Sequence, residues 1–136
     1  MCSILGIIDF DCKDQLKSKK INKINNLLTH RGPDDEGYYN DQFISLAFNR
    51  LSILDLVNGN QPIVKDHIVT IFNGEIYNFK EIRDELKSFG FKFKSNSDSE
   101  IIASAFLKWG IKCVNKFNGM FAIAIYDKIK KKNLLS

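Results

Sequence analysis

Cysteine is scarce in this chain: Cys2, Cys12 and Cys113 are its three cysteines. An odd count without a C-x-x-C spacing argues against a disulfide framework and against a zinc site. No apolar run comes near the roughly 18 consecutive residues that a membrane-spanning helix needs. The first short run, ending at Ile8, is followed at once by Asp9, Asp11 and Asp14, too early for a secretory signal. Charge of one sign is not in large excess either, since 20 Lys and Arg against 16 Asp and Glu leave a net charge of +4. The basic residues gather in Lys17–Lys23 and Lys128–Lys132. Neither cluster carries the interleaved aromatics of a nucleic-acid surface, so they read as a solvated helix face and a turn. These absences point to a reducing, cytoplasmic setting, with neither a membrane nor a nucleic acid as partner.

What is present suffices for one folded domain of 136 residues, with 44% hydrophobic and 12% aromatic residues. Ser3–Ile8 reads as a strand buried on both faces, Gly6 marking a close backbone approach. Leu16 to Leu28 reads as a helix with Ile21, Ile24 and Leu28 on its apolar stripe. His30 to Gly37 reads as a charged loop. Short strands are expected around Tyr38–Tyr39 and Ile44–Phe48, with a turn over Asn58 to Pro62. A further strand at Ile68–Phe72 runs directly into Asn73-Gly74-Glu75. Asn78 can cap a helix whose stripe is Phe79, Ile82 and Leu86, ending near Gly90.

Ser97-Asp98-Ser99-Glu100 has the spacing of a capping box. The helix behind it carries Ile101, Ile102, Ala105, Phe106 and Trp109 and stops at Gly110, with Asp98 in its first turn. Met120–Tyr126 is another strand, 127–133 a lysine-rich turn, and 133–136 the opening of a partner strand. The chain is therefore expected to stop inside a hairpin, as a piece of a longer protein would. Strands and helices are grouped rather than alternating, which predicts an α+β fold with antiparallel sheet layers between helices.

Cys2 stands out by its position. Once Met1 is removed, one residue carries both a thiol and a free α-amine. Their ordinary pKa values are about 8.5 and about 7.7–8.0, so near neutral pH the amine can take the thiol proton, directly or through a water. His30 and His67, in a loop and a polar turn, need not act as the base. On position alone, a cysteine here is more often accidental than catalytic. Arg50 follows a strand as a lone cation, either a fork for a carboxylate or half of a surface ion pair. Asn73-Gly74 is either an ordinary turn or an oxyanion hole, an amide side chain beside a glycine N–H. Glu75 and Asp98 either cap helices or hold an ammonium group. Together these residues would bind an α-amino acid and attack its side-chain amide.

Six blocks of sequence carry a resemblance that joins these candidates to the opening Met1-Cys2-Ser3-Ile4-Leu5-Gly6. They are His30-Arg31-Gly32-Pro33-Asp34, Arg50-Leu51-Ser52-Ile53-Leu54-Asp55, Gln61-Pro62, Phe72-Asn73-Gly74-Glu75-Ile76-Tyr77-Asn78, Ser97-Asp98-Ser99-Glu100 and Asn118-Gly119-Met120-Phe121-Ala122. In order and spacing the chain resembles the class II glutamine amidotransferases, which are N-terminal-nucleophile (Ntn) hydrolases, and within them the asparagine synthetase branch. The arginine block differs from those of the glucosamine-phosphate synthase and phosphoribosyl amidotransferase branches. The resemblance spans residues 1–136, read as a partial glutaminase domain.

The resemblance implies a four-layer α/β/β/α sandwich of antiparallel sheets, incomplete at its C-terminus. It implies that Cys2 attacks the carboxamide of L-glutamine and that Asn73 and Gly74 hold the oxyanion. Arg50 would bind the substrate α-carboxylate, and Asp98, aided by Glu75, its α-ammonium. Backbone groups of Leu51, Ser52, Ile53 and Leu54 would line the same pocket. No cofactor is implied for this domain. ATP and Mg2+ would belong to an absent C-terminal synthetase domain that uses the ammonia to convert aspartate to asparagine, in a full-length protein that could be a homodimer. The chain departs from the family pattern at Phe48-Asn49, where many relatives have a histidine and a charged residue. It also lacks the A-R-D-x-x-G-x-K-P-L-Y block that follows in the family. Two alternatives stay open. One is the glutaminase half of a related amidotransferase, either polysaccharide-modifying or β-lactam-forming; Cys2 counts against the β-lactam type. The other is a non-catalytic binding module.

Overall fold

A computed structural model describes residues 2–11, 16–51, 60–130 and 132–135 of the chain. Strands β1 (Ser3–Ile8), β2 (Asp35–Asn40) and β3 (Ile44–Arg50) form one antiparallel sheet in the order β1-β3-β2. Strands β4 (Ile63–Lys65), β5 (Ile68–Ile76), β6 (Gly119–Asp127) and β7 (Lys132–Leu135) form a second antiparallel sheet in chain order. Helix α1 (Lys17–Leu27) precedes β2, while α2 (Phe79–Ser88) and α3 (Ser99–Trp109) lie between β5 and β6.

Side-chain alternation along the strands builds the layers. Ile44, Leu46 and Phe48 of β3 pack against Val69 and Ile71 of β5 and Ala124 and Tyr126 of β6, forming a core between the sheets. The intervening residues of the second sheet, Ile68, Phe72, Ile76, Ile123 and Ile125, turn the other way. They meet Ile82, Leu86, Ile101, Ile102 and Ala105 of α2 and α3. Helix α1 covers the outer face of β3, where Asn25 and Asn49 are hydrogen bonded. The described residues therefore form the α/β/β/α sandwich of an α+β protein.

Several local expectations change. β1 is not buried on both faces: Ile8 is 43% exposed, and among the described residues β1 has one neighbouring strand, β3. Only Cys2 and Ile4 at its start reach the core between the sheets. A Cβ on Gly6 would meet the Leu46 side chain at 3.3 Å, so no backbone approaches there. The buried stripe of α1 is Lys17, Ile21 and Asn25, while Ile24 is 43% exposed. Polar groups can take those buried places because they are hydrogen bonded. Asn25 Nδ2 donates to Asn49 Oδ1 at 2.8 Å and to the Tyr38 hydroxyl at 3.0 Å; Asn49 Nδ2 donates to the Asn25 carbonyl at 2.9 Å; Lys17 Nζ donates to the Gln42 carbonyl at 2.8 Å.

The charged segment expected as a loop is shorter, because Thr29–Arg31 forms a 3-10 turn and β2 already begins at Asp35. Asn78 does not cap α2. Its side chain donates to the Lys116 carbonyl at 2.9 Å and accepts the Asn118 N–H at 2.8 Å, tying the entrance of α2 to the entrance of β6. The capping box does not close either, since Glu100 accepts the N–H groups of Lys94 and Ser95 at 2.7 and 2.8 Å. Asp98 immediately precedes α3, one position before the first turn predicted for it.

Gly37 of β2 shows how tightly the first sheet meets the segment before β4. A Cβ at that position would lie 1.7 Å from the Gln61 carbonyl oxygen, so backbone has to move to admit a methyl group. Gly37→Ala is expected to lower stability by about 2 kcal/mol or more, read as a drop in the urea midpoint at unchanged slope.

Candidate active site

The alternation that fills the core also aims polar side chains into a cleft at one end of the sandwich. Arg50 has the strand parity of Ile44, Leu46 and Phe48; Asn73 has that of Val69 and Ile71; Cys2 has that of Ile4. Where the apolar residues stop, these three line a cavity of about 470 Å3 together with Leu51, Gly74, Glu75 and Asp98. Its remaining walls come from Phe48, Gln61, Phe72, Ser97, Ser99 and the β6 residues Met120, Phe121 and Ala122.

Cys2 lies one residue ahead of β1 and is half-buried. The Leu51 N–H donates to its Sγ at 3.3 Å, and the thiol reaches the Leu51 carbonyl at 3.6 Å. Cys113 lies elsewhere, packed in the helix-side core, where burial pushes its pKa up to about 11.

Arg50 is the last residue of β3 and only 5% exposed, so it is not a surface cation. Its Nη1 donates to Asn60 Oδ1 at 3.1 Å. Asn73-Gly74 is not a turn, because β5 continues to Ile76, with Asn73 opposite Ala122 and Gly74 opposite Phe121. Gly74 has φ +148°, and a Cβ there would lie 2.1 Å from the Met120 carbonyl oxygen. Glycine is required on both counts.

The cleft also holds two carboxylates. Asp98 is 9% exposed, and its Oδ2 accepts the Ile76 N–H at 3.0 Å. Burial raises its pKa; the N–H groups of Ile76 and Ser99 and the charge of Arg83 act in the opposite sense. Glu75 is raised by burial and then by the charge of Asp98. Adjacent carboxylates short of positive charge favour a bound cation. The cleft thus combines a guanidinium, two carboxylates, a thiol and neutral donors, a set that can take an amino-acid zwitterion and attack a carbonyl on its side chain.

Of the predicted site residues, Cys2, Arg50, Leu51, Asn73, Gly74, Glu75 and Asp98 come together, while Ser52, Ile53 and Leu54 lie outside the described residues. The individual reading of residues missed Gln61, Ser97 and Ser99, although all three stand in the blocks that carry the family resemblance. Ser97 and Ser99 share a hydrogen bond between hydroxyls at 2.5 Å. Among the described residues no group of three or more His, Cys, Asp and Glu is placed to hold a metal ion, and no helix is long and apolar enough to cross a membrane.

Residues 1–136 match the family described as glutamine amidotransferase domain. The chain is 42% identical over 139 residues to asparagine synthetase [glutamine-hydrolyzing] 2 of Bacillus subtilis (strain 168), covering 99% of this chain and 18% of that protein. It is 40% identical over 151 residues to a putative asparagine synthetase [glutamine-hydrolyzing] 2 of Methanocaldococcus jannaschii, covering 96% and 28%. To asparagine synthetase [glutamine-hydrolyzing] 1 of Arabidopsis thaliana it is 36% identical over 129 residues, covering 93% and 22%. The chain spans about a fifth of the length of the B. subtilis relatives. Among solved structures, the B. subtilis glutamine phosphoribosylpyrophosphate amidotransferase complexed with ADP and GMP aligns with a TM-score of 0.50 at 21% identity. That alignment covers 62% of this chain and 21% of the other, and it supports the fold.

The raised carboxyls make a prediction about pH. A carboxyl whose pKa is higher folded than unfolded binds more protons in the folded state, so stability falls as pH rises between the ordinary value of about 3.9 and the raised one. Asn in place of Asp98 can still accept the Ile76 N–H. Asp98→Asn is therefore expected to be more stable than the wild type at pH 7 without ligand, and the advantage to shrink toward pH 4. Urea titrations across that range check it; a variant less stable at pH 7 contradicts the reading of Asp98 as an unneutralised carboxylate.

Proposed function

This chain belongs to the glutamine amidotransferase domain family, and we propose that it hydrolyses L-glutamine to glutamate and ammonia with Cys2 as the nucleophile. The observation that carries this reading is the convergence of Cys2, Arg50, Asn73, Gly74, Glu75 and Asp98 on one cleft. Arg50 takes the substrate α-carboxylate as a charged fork. Asp98, with Glu75, takes the α-ammonium, which supplies the positive charge that their raised carboxyls favour. Both ends of the amino acid are then fixed, and its carboxamide is directed at the thiol. Proximity of this kind removes much of the entropic cost of the reaction.

With Met1 removed, the Cys2 amine takes the thiol proton and the sulfur adds to the amide carbon. The carbonyl oxygen becomes an oxyanion, held by the Asn73 side-chain N–H and the Gly74 backbone N–H. Collapse breaks the C–N bond; the proton held by the amine passes to the leaving nitrogen, and ammonia departs. Water then adds to the γ-glutamyl thioester, the amine again accepting a proton, and glutamate and the free thiol are restored. The Leu51 N–H, 3.3 Å from Sγ, steadies the thiolate at the start and end of the cycle.

We further infer that the ammonia is consumed by a C-terminal synthetase domain that amidates aspartate, a reading supported by the relatives' name, asparagine synthetase [glutamine-hydrolyzing]; in this proposal that domain uses ATP and Mg2+. The full-length protein is then a cytoplasmic enzyme and a candidate homodimer.

Cys2→Ala is expected to abolish glutamate release from glutamine while leaving glutamine affinity within about threefold, since the carboxylate and ammonium contacts remain. Turnover that survives in this variant would sink the proposal. Arg50→Ala is expected to raise the glutamine Kd by about tenfold to a hundredfold with a smaller effect on kcat, because the α-carboxylate is unchanged in the reaction. Mass spectrometry should find Cys2 at the N-terminus of the active protein, and a form that retains Met1 should not turn over.

A further inference from the structure

We propose that Gln61 is a positioning residue for Asn73 and Gly74, its side-chain amide taking the place that, among the described residues, no strand partner fills beside Phe72. β4 pairs with β5 through Lys65↔Ile68, Val64↔Val69 and Ile63↔Thr70, and the ladder ends there. The same antiparallel register, carried two residues further, sets position 61 opposite Phe72. The Gln61 side chain makes the bonds at that point. Its Oε1 accepts the Phe72 N–H at 2.6 Å, and its Nε2 donates to the Phe72 carbonyl at 3.0 Å. A primary amide carries both roles on one rigid group, as a peptide does. Gln61 is 9% exposed, so a lost bond leaves Phe72 backbone groups away from water, which is costly.

The position of this clamp gives it a consequence for the reaction. Along an antiparallel strand, N–H groups alternate between the two edges. Those of Thr70, Phe72 and Gly74 share the edge toward β4, and that of Asn73 faces β6. Phe72 is therefore the last group on this edge that Gln61 engages. Gly74 comes next and opens on the cleft, which Gln61 itself also lines. On the other edge the β6 register holds Asn73 and Gly74 opposite Ala122 and Phe121. The clamp supplies bonds on the second edge immediately before them. Without it the nearest described bond on this edge is the one from the Ile76 N–H to Asp98 Oδ2, two residues beyond Gly74, whose φ of +148° other residues rarely adopt. The Gln61 carbonyl is itself pressed against Gly37 of the first sheet, so the clamp is anchored to a separate layer. Gln61 acts through Phe72 on the two oxyanion donors, and the inference rests on the glutaminase reading.

Two near-isosteric variants test this in the natural full-length protein with Met1 removed. Gln61→Glu keeps an acceptor for the Phe72 N–H but sets a carboxylate oxygen against the Phe72 carbonyl; Gln61→Met loses both bonds. Turnover gives kcat and KM, and glutamine Kd is measured by calorimetry in a Cys2→Ala background, with thermal melts alongside. Both variants are expected to lower kcat by about tenfold or more, with Kd shifted less than about threefold and a cooperative melt above the assay temperature. Wild-type kcat in a folded Gln61→Met protein overturns the positioning role while leaving the glutaminase reading intact. A joint loss of kcat, affinity and the cooperative melt overturns it too, since Gln61 would then serve the fold alone. If the wild type neither binds nor hydrolyses glutamine, the glutaminase reading fails and this proposal with it.

Discussion

The cleft exists because β5 stays paired with β6 through Asn73, Gly74 and Glu75 instead of turning away after Phe72. Nine residues of each strand are in register, from Ile68↔Asp127 to Ile76↔Gly119. That continuity decides which face each side chain meets. Val69 and Ile71 fill the space between the sheets, and Asn73 and Glu75 emerge on the same face where the apolar filling stops. A slip of one residue would turn Asn73 and Glu75 toward the helices and bring Phe72 and Gly74 into their places. Two glycines make the close pairing feasible. A Cβ on Gly119 would lie 2.0 Å from the Glu75 carbonyl, and one on Gly74 at 2.1 Å from the Met120 carbonyl. The site is thus held at a place where two backbones approach more closely than side chains permit.

Much of this was legible in the chain. The α+β grouping, the strands around Ile44–Phe48, Ile68–Phe72 and Met120–Tyr126, and the faces of α2 and α3 follow from apolar periodicity, which reports burial against other apolar groups. Periodicity fails where burial is polar. The buried stripe of α1 runs through Lys17 and Asn25, and no hydrophobic pattern marks an amide that is dry because it faces Asn49 and Tyr38. It fails again at β1, where a run of apolar residues looks like a central strand. Whether such a run lies at a sheet edge depends on pairing, which no local pattern contains. The capping box fails for a related reason. Glu100 has the right spacing, but its carboxylate finds better-placed donors in the loop at Lys94 and Ser95.

The candidate site was legible in a different way. Cys2, Arg50, Asn73, Glu75 and Asp98 are far apart in sequence, and each alone admits an ordinary explanation: an accidental cysteine, an ion pair, a turn, a cap. Burial takes Arg50 off the surface, and strand continuity removes the turn for Asn73-Gly74. Gln61 had no such signal, because its role lies in a register that runs past the end of β4. Asp98 shows how the fold tolerates a buried carboxylate. Arg83 sits behind it, itself buried, with Nη2 donating to the Ser97 carbonyl at 2.6 Å and Nη1 to Asn96 Oδ1 at 3.0 Å. Its guanidinium lies 5.3 Å from the Phe79 ring centre and 5.5 Å from that of Phe93. It fixes the segment leading to Asp98 and lends positive potential without quenching the carboxylate, whose pKa stays raised.

The same trade between fixing and leaving free governs Cys2. A nucleophile must be held, and strands hold side chains well, but a residue inside a ladder commits its backbone nitrogen to the sheet or to the next peptide. Cys2 stands one residue before the first pair of β1, Ser3↔Asn49. Its side chain inherits the direction of Ile4 toward the core between the sheets, while its nitrogen lies ahead of the ladder. An edge strand suits this arrangement better than a central one, since the end of β1 has a neighbour on one side only. The partial exposure that makes β1 a poor core strand is thus what allows the chain terminus to reach the cleft. In the proposed reaction the Cys2 amine, freed by removal of Met1, serves as the base there, while neither His30 nor His67 lines the cavity.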